Sequence, residues 1–290
     1  MAEPQVRLHN LDEPLHPQLS LLLRDARLLQ QCRSAYQQIE LYHSPLFGNF
    51  FRLDGALMST EADEFYYHEN LVHPAALAQP TSLQQALVIG GGDGGTARQL
   101  LKYASLQSVH VAELDAQVVA MARLHLPRIH QGAFDDPRLQ LHIGDGREFL
   151  LAAQHCYDLI VLDLTEPSGA AAALYRPEFF AACRGRLSAS GVLSLHLGSP
   201  VYQLQQVQMV YRALAQVFTS VRPMLVPIPS YGGLWALALA SNGTDAAAVA
   251  ATEIKKRLLG RGISGLSYYN DATHQALFAL PEFLRSALSL

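Results

Sequence analysis

The chain has no cysteine framework. Cys32, Cys156 and Cys183 stand apart, with no CxxC spacing. A disulfide scaffold and a thiolate zinc ribbon are therefore excluded, and a reducing compartment, the cytoplasm, is expected. Long apolar runs are also missing, and the longest stretches fall far short of the roughly 20 residues that span a bilayer. The opening MAEPQVRLHNLDEP carries no apolar signal core. No basic block appears and the formal net charge is −4. Nucleic acid and membrane are thus unexpected partners. No GK[ST] follows the glycine loop, which argues against a Walker-type phosphate site.

What is present is apolar content and alternation. Half of the 290 residues are hydrophobic, ample for one large domain or a large domain with a small one attached. Up to about residue 60 the pattern is β-rich. Gln37 to Tyr42 alternates, and GNFFRLDGALMS reads as a hairpin turning at Asp54-Gly55. Leu19 to Cys32 fits either a strand or a helix. The pattern turns helical from EADEFYYHENLVHPAALAQ onward.

Strand-like runs at 86–90, 108–114, 139–146, 157–164 and 191–198 then alternate with helical segments at 95–103, 116–126, 147–154 and 177–187. A helix over 207–218, a strand over 234–241 and a helix over 245–260, capped at Gly260, complete the reading. The fold class is α/β: a mostly parallel, methyltransferase-like Rossmann sheet with a small N-terminal β domain. The expected domains are 1–70 and 71–290.

Ligands of open α/β sheets bind beyond the carboxyl ends of the strands. Four successive strands here end on an acid or run into one: Asp93 in the loop IGGGDGG, then Glu113, Asp145 and Asp163. Any one of them is equally well read as a turn or helix-cap residue. Together they outline a nucleoside site. Gly90, Gly92 and Gly95 fit GxGxxG between a strand and a helix. Glu113 stands near the spacing at which an acid meets ribose hydroxyls. Asp145 can accept from an adenine amino group.

Asp93 limits the ligand. In a dinucleotide site the loop faces a pyrophosphate. Two like charges about 4 Å apart repel by roughly 4 kcal/mol at an effective dielectric of 20. A sulfonium nucleoside has no phosphate, and its decarboxylated form also lacks the α-carboxylate. Asp93 therefore favours a cationic nucleoside. Further on, LDLTEPSG carries Asp163 and Glu166 around a turn. These two acids can bind a cationic amine and take its proton, or simply cap the turn and face solvent.

SAYQQIELYHSPLFGNFFRLDG, DEFYYHENLVH, IGGGDGG, ELD, DDPRLQLHIGDG, YDLIVLDLTEPSG, IPSYGGLWALALAS and YYNDATHQALFALPEFL occur in this order. In them the chain resembles the polyamine aminopropyltransferases, the spermidine synthase family, of the shorter bacterial type. The resemblance runs from about Ser34 to Leu288. It implies transfer of the aminopropyl group of decarboxylated S-adenosylmethionine, a co-substrate, to an amine, most commonly putrescine, with release of methylthioadenosine. It implies no cofactor, no metal, and a homodimer or homotetramer. It makes Asp163 the general base. Gln37, Gly90, Gly92, Asp93, Glu113, Asp145 and Gly146 would bind the donor, and Tyr67, His68, Glu166 and Tyr231 the amine.

Three departures fall near the expected amine site: Glu166 where an aspartate is common, Gly169 to Ala173 in place of Gly-Pro-Ala-Glu-Ser, and His196 for a glutamine. They leave cadaverine or spermidine open as acceptors. A methyltransferase on the same fold, a nicotinamide oxidoreductase and a non-catalytic nucleoside-binding protein are the competing readings.

Overall fold

The computed structural model describes residues 8–167 and 169–290. Among them, residues 8–60 form a five-stranded antiparallel sheet in chain order: β1 (Leu8–His16), β2 (Leu19–Arg33), β3 (Gln38–Ser44), β4 (Gly48–Leu53) and β5 (Ala56–Thr60). The ambiguous stretch is thus strand β2. Its apolar residues fail to alternate because the β2–β3 register slips between Leu28 and Gln30, and the β1–β2 register slips as well. Each slip sends the following side chains to the other face. The expected turn joins β4 to β5, with Asp54 at φ 48° and Gly55 at φ 83°. Two positive φ angles match the right-handed twist of a two-residue hairpin.

Helix α1 (Glu64–Ala78) follows and is buried along nearly its whole length. One side packs on the large sheet and the other on neighbouring helices, so it carries no polar stripe. The large sheet has seven strands: β6 (Gln85–Gly90), β7 (Ser108–Glu113), β8 (Leu139–Ile143), β9 (Tyr157–Asp163), β10 (Leu187–Gly198), β11 (Ser220–Ile228) and β12 (Gly233–Ser241). Their spatial order is β11-β12-β10-β9-β6-β7-β8, with β12 alone running against the other six. The remaining helices are α2 (Gly95–Leu101), α3 (Ala116–His125), α4 (Pro127–His130), α5 (Gly146–Ala152), α6 (Pro177–Arg186), α7 (Leu204–Ala215), α8 (Ala251–Gly260), α9 (Asp271–Leu277) and α10 (Glu282–Leu288). Val88 and Val161 pack into the core on one face of the sheet, Leu87 and Ile160 into the core on the other. Burial on both faces explains the near-continuous apolar strands.

The structure differs from the sequence reading at β11 and α8. Strand β11 escapes it because SVRPMLVPI carries Pro223 and Pro227; β11 is an edge strand, where proline is tolerated. The helix expected from 245 begins at Ala251. Asp245 instead caps a separate 3-10 turn, Ala246–Ala248, and pairs with Arg222. Gly260 is the last residue of α8 rather than its cap, and the left-handed turn falls at Gly262. The apolar C-terminus is core: Leu284 and Leu288 of α10 are buried under the sheet.

The chain runs from β6 to β7 and β8 on one side, then returns to β9 on the other side of β6. The strand order reverses there. Gly90 and Asp163 pair at the carboxyl ends of β6 and β9, which is where such sheets open a crevice for ligand.

Candidate active site

A cleft of about 660 Å³ lies over this switch point, between the small sheet and the carboxyl ends of the large one. Its size suits a nucleoside-sized ligand. All twelve residues expected at a site line it: Gln37, Tyr67, His68, Gly90, Gly92, Asp93, Glu113, Asp145, Gly146, Asp163, Glu166 and Tyr231.

The glycine loop is shaped by what lies against it. Gly90 sits at φ 82°, and a Cβ there would meet the Asp163 carbonyl, which accepts the Gly91 amide at 2.9 Å. A Cβ on Gly95 would run into the His68 ring. The loop's glycines thus hold β6 against β9 and α2 against α1.

Asp93 is buried and multiply held. Its Oδ1 accepts the Gly95 amide at 2.9 Å, and its Oδ2 accepts the Ser59 hydroxyl at 2.7 Å. His68 Nε2 lies 3.4 Å from Oδ2, and His68 Nδ1 lies 2.7 Å from Glu64. Burial disfavours a charge on His68, but Asp93 and Glu64 outweigh it and raise its pKa well above the ordinary value. Burial likewise pushes Asp93 up, yet the His68 charge and three hydrogen bonds bring it down to about 2. The two form an ion pair. His68 stands 1% exposed beside Asp93, so one loop carboxylate is already balanced by a cation.

Asp163 differs. It is half-buried, and its Oδ2 accepts the Thr96 hydroxyl at 2.7 Å. Burial raises its pKa first; His68 lowers it, Asp93 raises it, and hydrogen bonds from Thr96 and Tyr67 lower it, to a net value of about 6. A carboxyl poised there holds and releases a proton near neutral pH. Donor atoms of His68, Asp93 and Asp163 lie within 4.8 Å of one another. As a metal site this trio is poor, because an imidazolium has no lone pair to give. As a receptor for an organic cation it is suitable.

Glu113 ends β7. Burial raises its carboxyl to about 7, against the opposing pull of the Asp115 amide. Asp115 itself caps α3 and accepts both Gln37 Nε2 at 3.1 Å and Ser34 Oγ at 2.6 Å. It thereby fastens the small sheet to the large one beside the cleft. Asp145 does two things: it lines the cleft and caps α5 through the Arg147 amide at 2.7 Å.

Beyond Tyr67 a side pocket of about 70 Å³ opens between Glu166, Glu13, His196, Trp235 and Tyr231. Glu13 is already engaged by the Leu57 amide at 3.0 Å and by Arg52 at 3.5 Å, which leaves Glu166 as the available acid. His196 is buried. Its Nε2 lies 2.9 Å from the Leu164 carbonyl and 2.7 Å from the Tyr175 hydroxyl. A carbonyl only accepts, so Nε2 carries the proton and Nδ1 keeps a lone pair, without a partner among the described residues. Tyr231 donates to the Met58 carbonyl, and Asp63 holds the adjoining Ser230 amide at 2.8 Å.

Sequence reasoning missed Ser59, Thr96, Asp115, Glu64 and Arg98. Arg98 donates to Glu64 at 2.7 Å, completing a chain Arg98–Glu64–His68–Asp93. The i,i+4 spacing of Glu64 and His68 was the one readable signal. Isolated hydroxyls such as Ser59 and Thr96 carry none.

The spermine/spermidine synthase domain profile matches residues 64–249, and the spermidine synthase tetramerisation domain matches residues 16–61. The chain is 48% identical over 277 residues to a polyamine aminopropyltransferase of Nitrosomonas europaea, covering 96% of this chain and 85% of that one. A polyamine aminopropyltransferase of Sulfolobus acidocaldarius is 35% identical over 266 residues, 90% of this chain and 87% of that one. A solved spermidine synthase in complex with the transition-state analogue AdoDATO superposes with TM-score 0.91 at 33% identity, covering 100% of this chain and 98% of that one. The spermidine synthase of Thermotoga maritima superposes with TM-score 0.90 at 33% identity, covering 100% and 97%.

Proposed function

Because the chain belongs to the spermine/spermidine synthase family and is an aminopropyltransferase, we propose that it transfers the aminopropyl group of decarboxylated S-adenosylmethionine to putrescine. The products are spermidine and methylthioadenosine. The observation that carries the reading is Asp163: a carboxyl raised to about 6 beside Asp93 in the cleft, with a second acid, Glu166, lining both the cleft and the side pocket.

Each group has a role that follows from its chemistry. Glu113 takes the ribose hydroxyls, and Asp145 with Gly146 the adenine. Gly90 and Gly92 allow the nucleoside to approach the backbone. Gln37, held by Asp115, and Asp93, held by His68, take the donor's aminopropyl ammonium. The acceptor enters past Tyr67 and Tyr231. Its far ammonium meets Glu166, and its near ammonium loses a proton to Asp163. The freed nitrogen lone pair attacks the aminopropyl carbon. The C–S bond breaks, and its electrons return to sulfur, leaving a neutral thioether. Fixing the two reactants in line is the main acceleration available. No resident cofactor enters this scheme.

The narrow side pocket favours a short linear diamine over spermidine. A methyltransferase reading would place the α-carboxylate of S-adenosylmethionine against Asp93. The His68 ion pair softens that repulsion, but Asp163 and Glu166 keep the cleft rich in acids. Three unpaired cysteines support the cytoplasm as compartment, and the match to a tetramerisation domain supports a homo-oligomer, dimer or tetramer.

The test is methylthioadenosine release from decarboxylated S-adenosylmethionine with putrescine, cadaverine, spermidine or agmatine. Putrescine is expected to give the highest kcat/KM. Asp163→Asn is expected to lower turnover by about 10²–10⁴-fold. In the wild type, kcat/KM should fall as pH drops through about 6, where Asp163 protonates. Release that ignores the amine, or an Asp163→Asn enzyme of full activity, would overturn the assignment.

A further inference from the structure

Away from the cleft, three histidines converge under α5. His110 on β7 is 8% exposed, His142 on β8 is half-buried, and His155, between α5 and β9, is exposed. Ala112 pairs with His142, so His110 and His142 stand two positions apart along the ladder and project to the same face. His110 Nδ1 lies 3.3 Å from His142 Nε2, and the two rings are nearly parallel, at 11°. The His155 ring centroid is 5.3 Å from that of His110. Phe149 of α5 covers the group, 4.3 Å from His142 and 5.7 Å from His110 between centroids.

We propose that His110, His142 and His155 form a binding site for an imidazole-preferring transition-metal ion, zinc first, separate from the catalytic cleft. The argument is geometric. A tetrahedral zinc with Zn–N bonds of about 2.0–2.1 Å sets its ligand nitrogens about 3.3 Å apart. The His110 and His142 nitrogens already stand at that separation. The His155 ring, 5.3 Å from that of His110 and exposed on its loop, would have to turn to supply the third nitrogen, with water in the fourth position. Imidazole ligands suit Zn²⁺, Ni²⁺ and Cu²⁺ and give no site for Mg²⁺ or Ca²⁺. Phe149 shields the His110 and His142 side of the group from water. The occupied site would tie edge strand β8 to the loop before β9, across the base of the helix that Asp145 caps.

The test is equilibrium dialysis of the metal-stripped full chain against micromolar zinc, with and without saturating methylthioadenosine. Tight uptake of one zinc per chain, undisturbed by methylthioadenosine, is expected. His155→Gln should weaken binding at least tenfold, and His142→Gln/His155→Gln should abolish it. Both variants should retain aminopropyl transfer, which also shows that they fold. Cys156→Ser, next to the site, should bind as the wild type does. Cobalt in place of zinc should give the intense visible absorption of tetrahedral coordination, lost in the double variant. The proposal is overturned if no zinc is taken up. It is equally overturned if uptake survives the double substitution, disappears in Cys156→Ser, or is displaced by methylthioadenosine, which would locate the ion on the thiol or in the cleft.

Discussion

The imidazole of His68 lies between Glu64 and Asp93, and Arg98 holds the far oxygen of Glu64. A buried imidazolium between two carboxylates leaves one net negative charge in the trio, and Arg98 offsets it. Asp93 can then stay ionised a few ångströms from Asp163 without driving the latter's pKa still higher. Glu64→Gln removes one anion from His68. Its pKa is expected to fall by at least one unit, about 1.4 kcal/mol, and Asp93 to rise. Imidazole titration by NMR checks this, and an unchanged His68 titration would refute the arrangement. Turnover at neutral pH should drop about tenfold. The strand-end acids were legible because each lies at the end of an expected strand or in the loop just after it. The pairing of Asp93 with His68 was not, because the two are 25 residues apart in sequence and meet only when α1 packs on α2.

At the scale of elements, the glycine loop was readable as a strand-loop-helix motif. The reason for its last glycine was not. Gly95 opens α2, where alanine is ordinarily the better helix former. Here a methyl would strike the His68 ring of α1. Gly95→Ala is therefore expected to destabilise the fold by about 1–3 kcal/mol, the usual cost of overpacking, against a small propensity gain. Urea unfolding measures it, and a stabilised variant would contradict the contact. Strand β11 makes a related point. Proline content demotes a strand in the sequence, and only the sheet order shows that the strand lies at an edge.

For the whole molecule, proton linkage sets an acid limit. Buried His73 is held neutral, at about 3, by burial, and His110 at about 4. Unfolded, both titrate near 6.5. Below that pH the unfolded chain binds more protons, so the stability they contribute is present above 6.5 and lost toward 3–4. Glu113 and Asp163, raised to about 7 and about 6, act oppositely, gaining stability as pH falls toward their unfolded values near 4. Denaturation midpoints should therefore change little between pH 7 and 5 and collapse below about 4.5. His73→Gln should make the acid decline shallower. Assembly is the second whole-molecule property. Leu8, Leu19 and Leu22 are 56%, 46% and 52% exposed on the β1–β2 hairpin, and Leu19 and Leu22 fall in the segment matching a tetramerisation domain. Leu19 and Leu22, near the hairpin turn, are exposed apolar side chains in the segment that matches a tetramerisation domain, which makes them candidates for a subunit contact. Leu22→Glu should shift sedimentation toward smaller species, and an unchanged mass would place the interface elsewhere.

The amino-acid sequence by itself determined the alternation of strands and helices, the acids at successive strand ends and the glycine loop. These are local: they follow from hydrophobic period, turn chemistry and spacing along one stretch of chain. Tertiary structure alone decided that Asp93 is anionic and paired while Asp163 is raised toward neutrality. It also decided that Asp115 anchors Gln37, that His196 presents a lone pair, and that three histidines meet beneath α5. Each of these depends on burial and on neighbours brought from distant segments. Desolvation and Coulomb energy act through space, and no spacing in the chain records them.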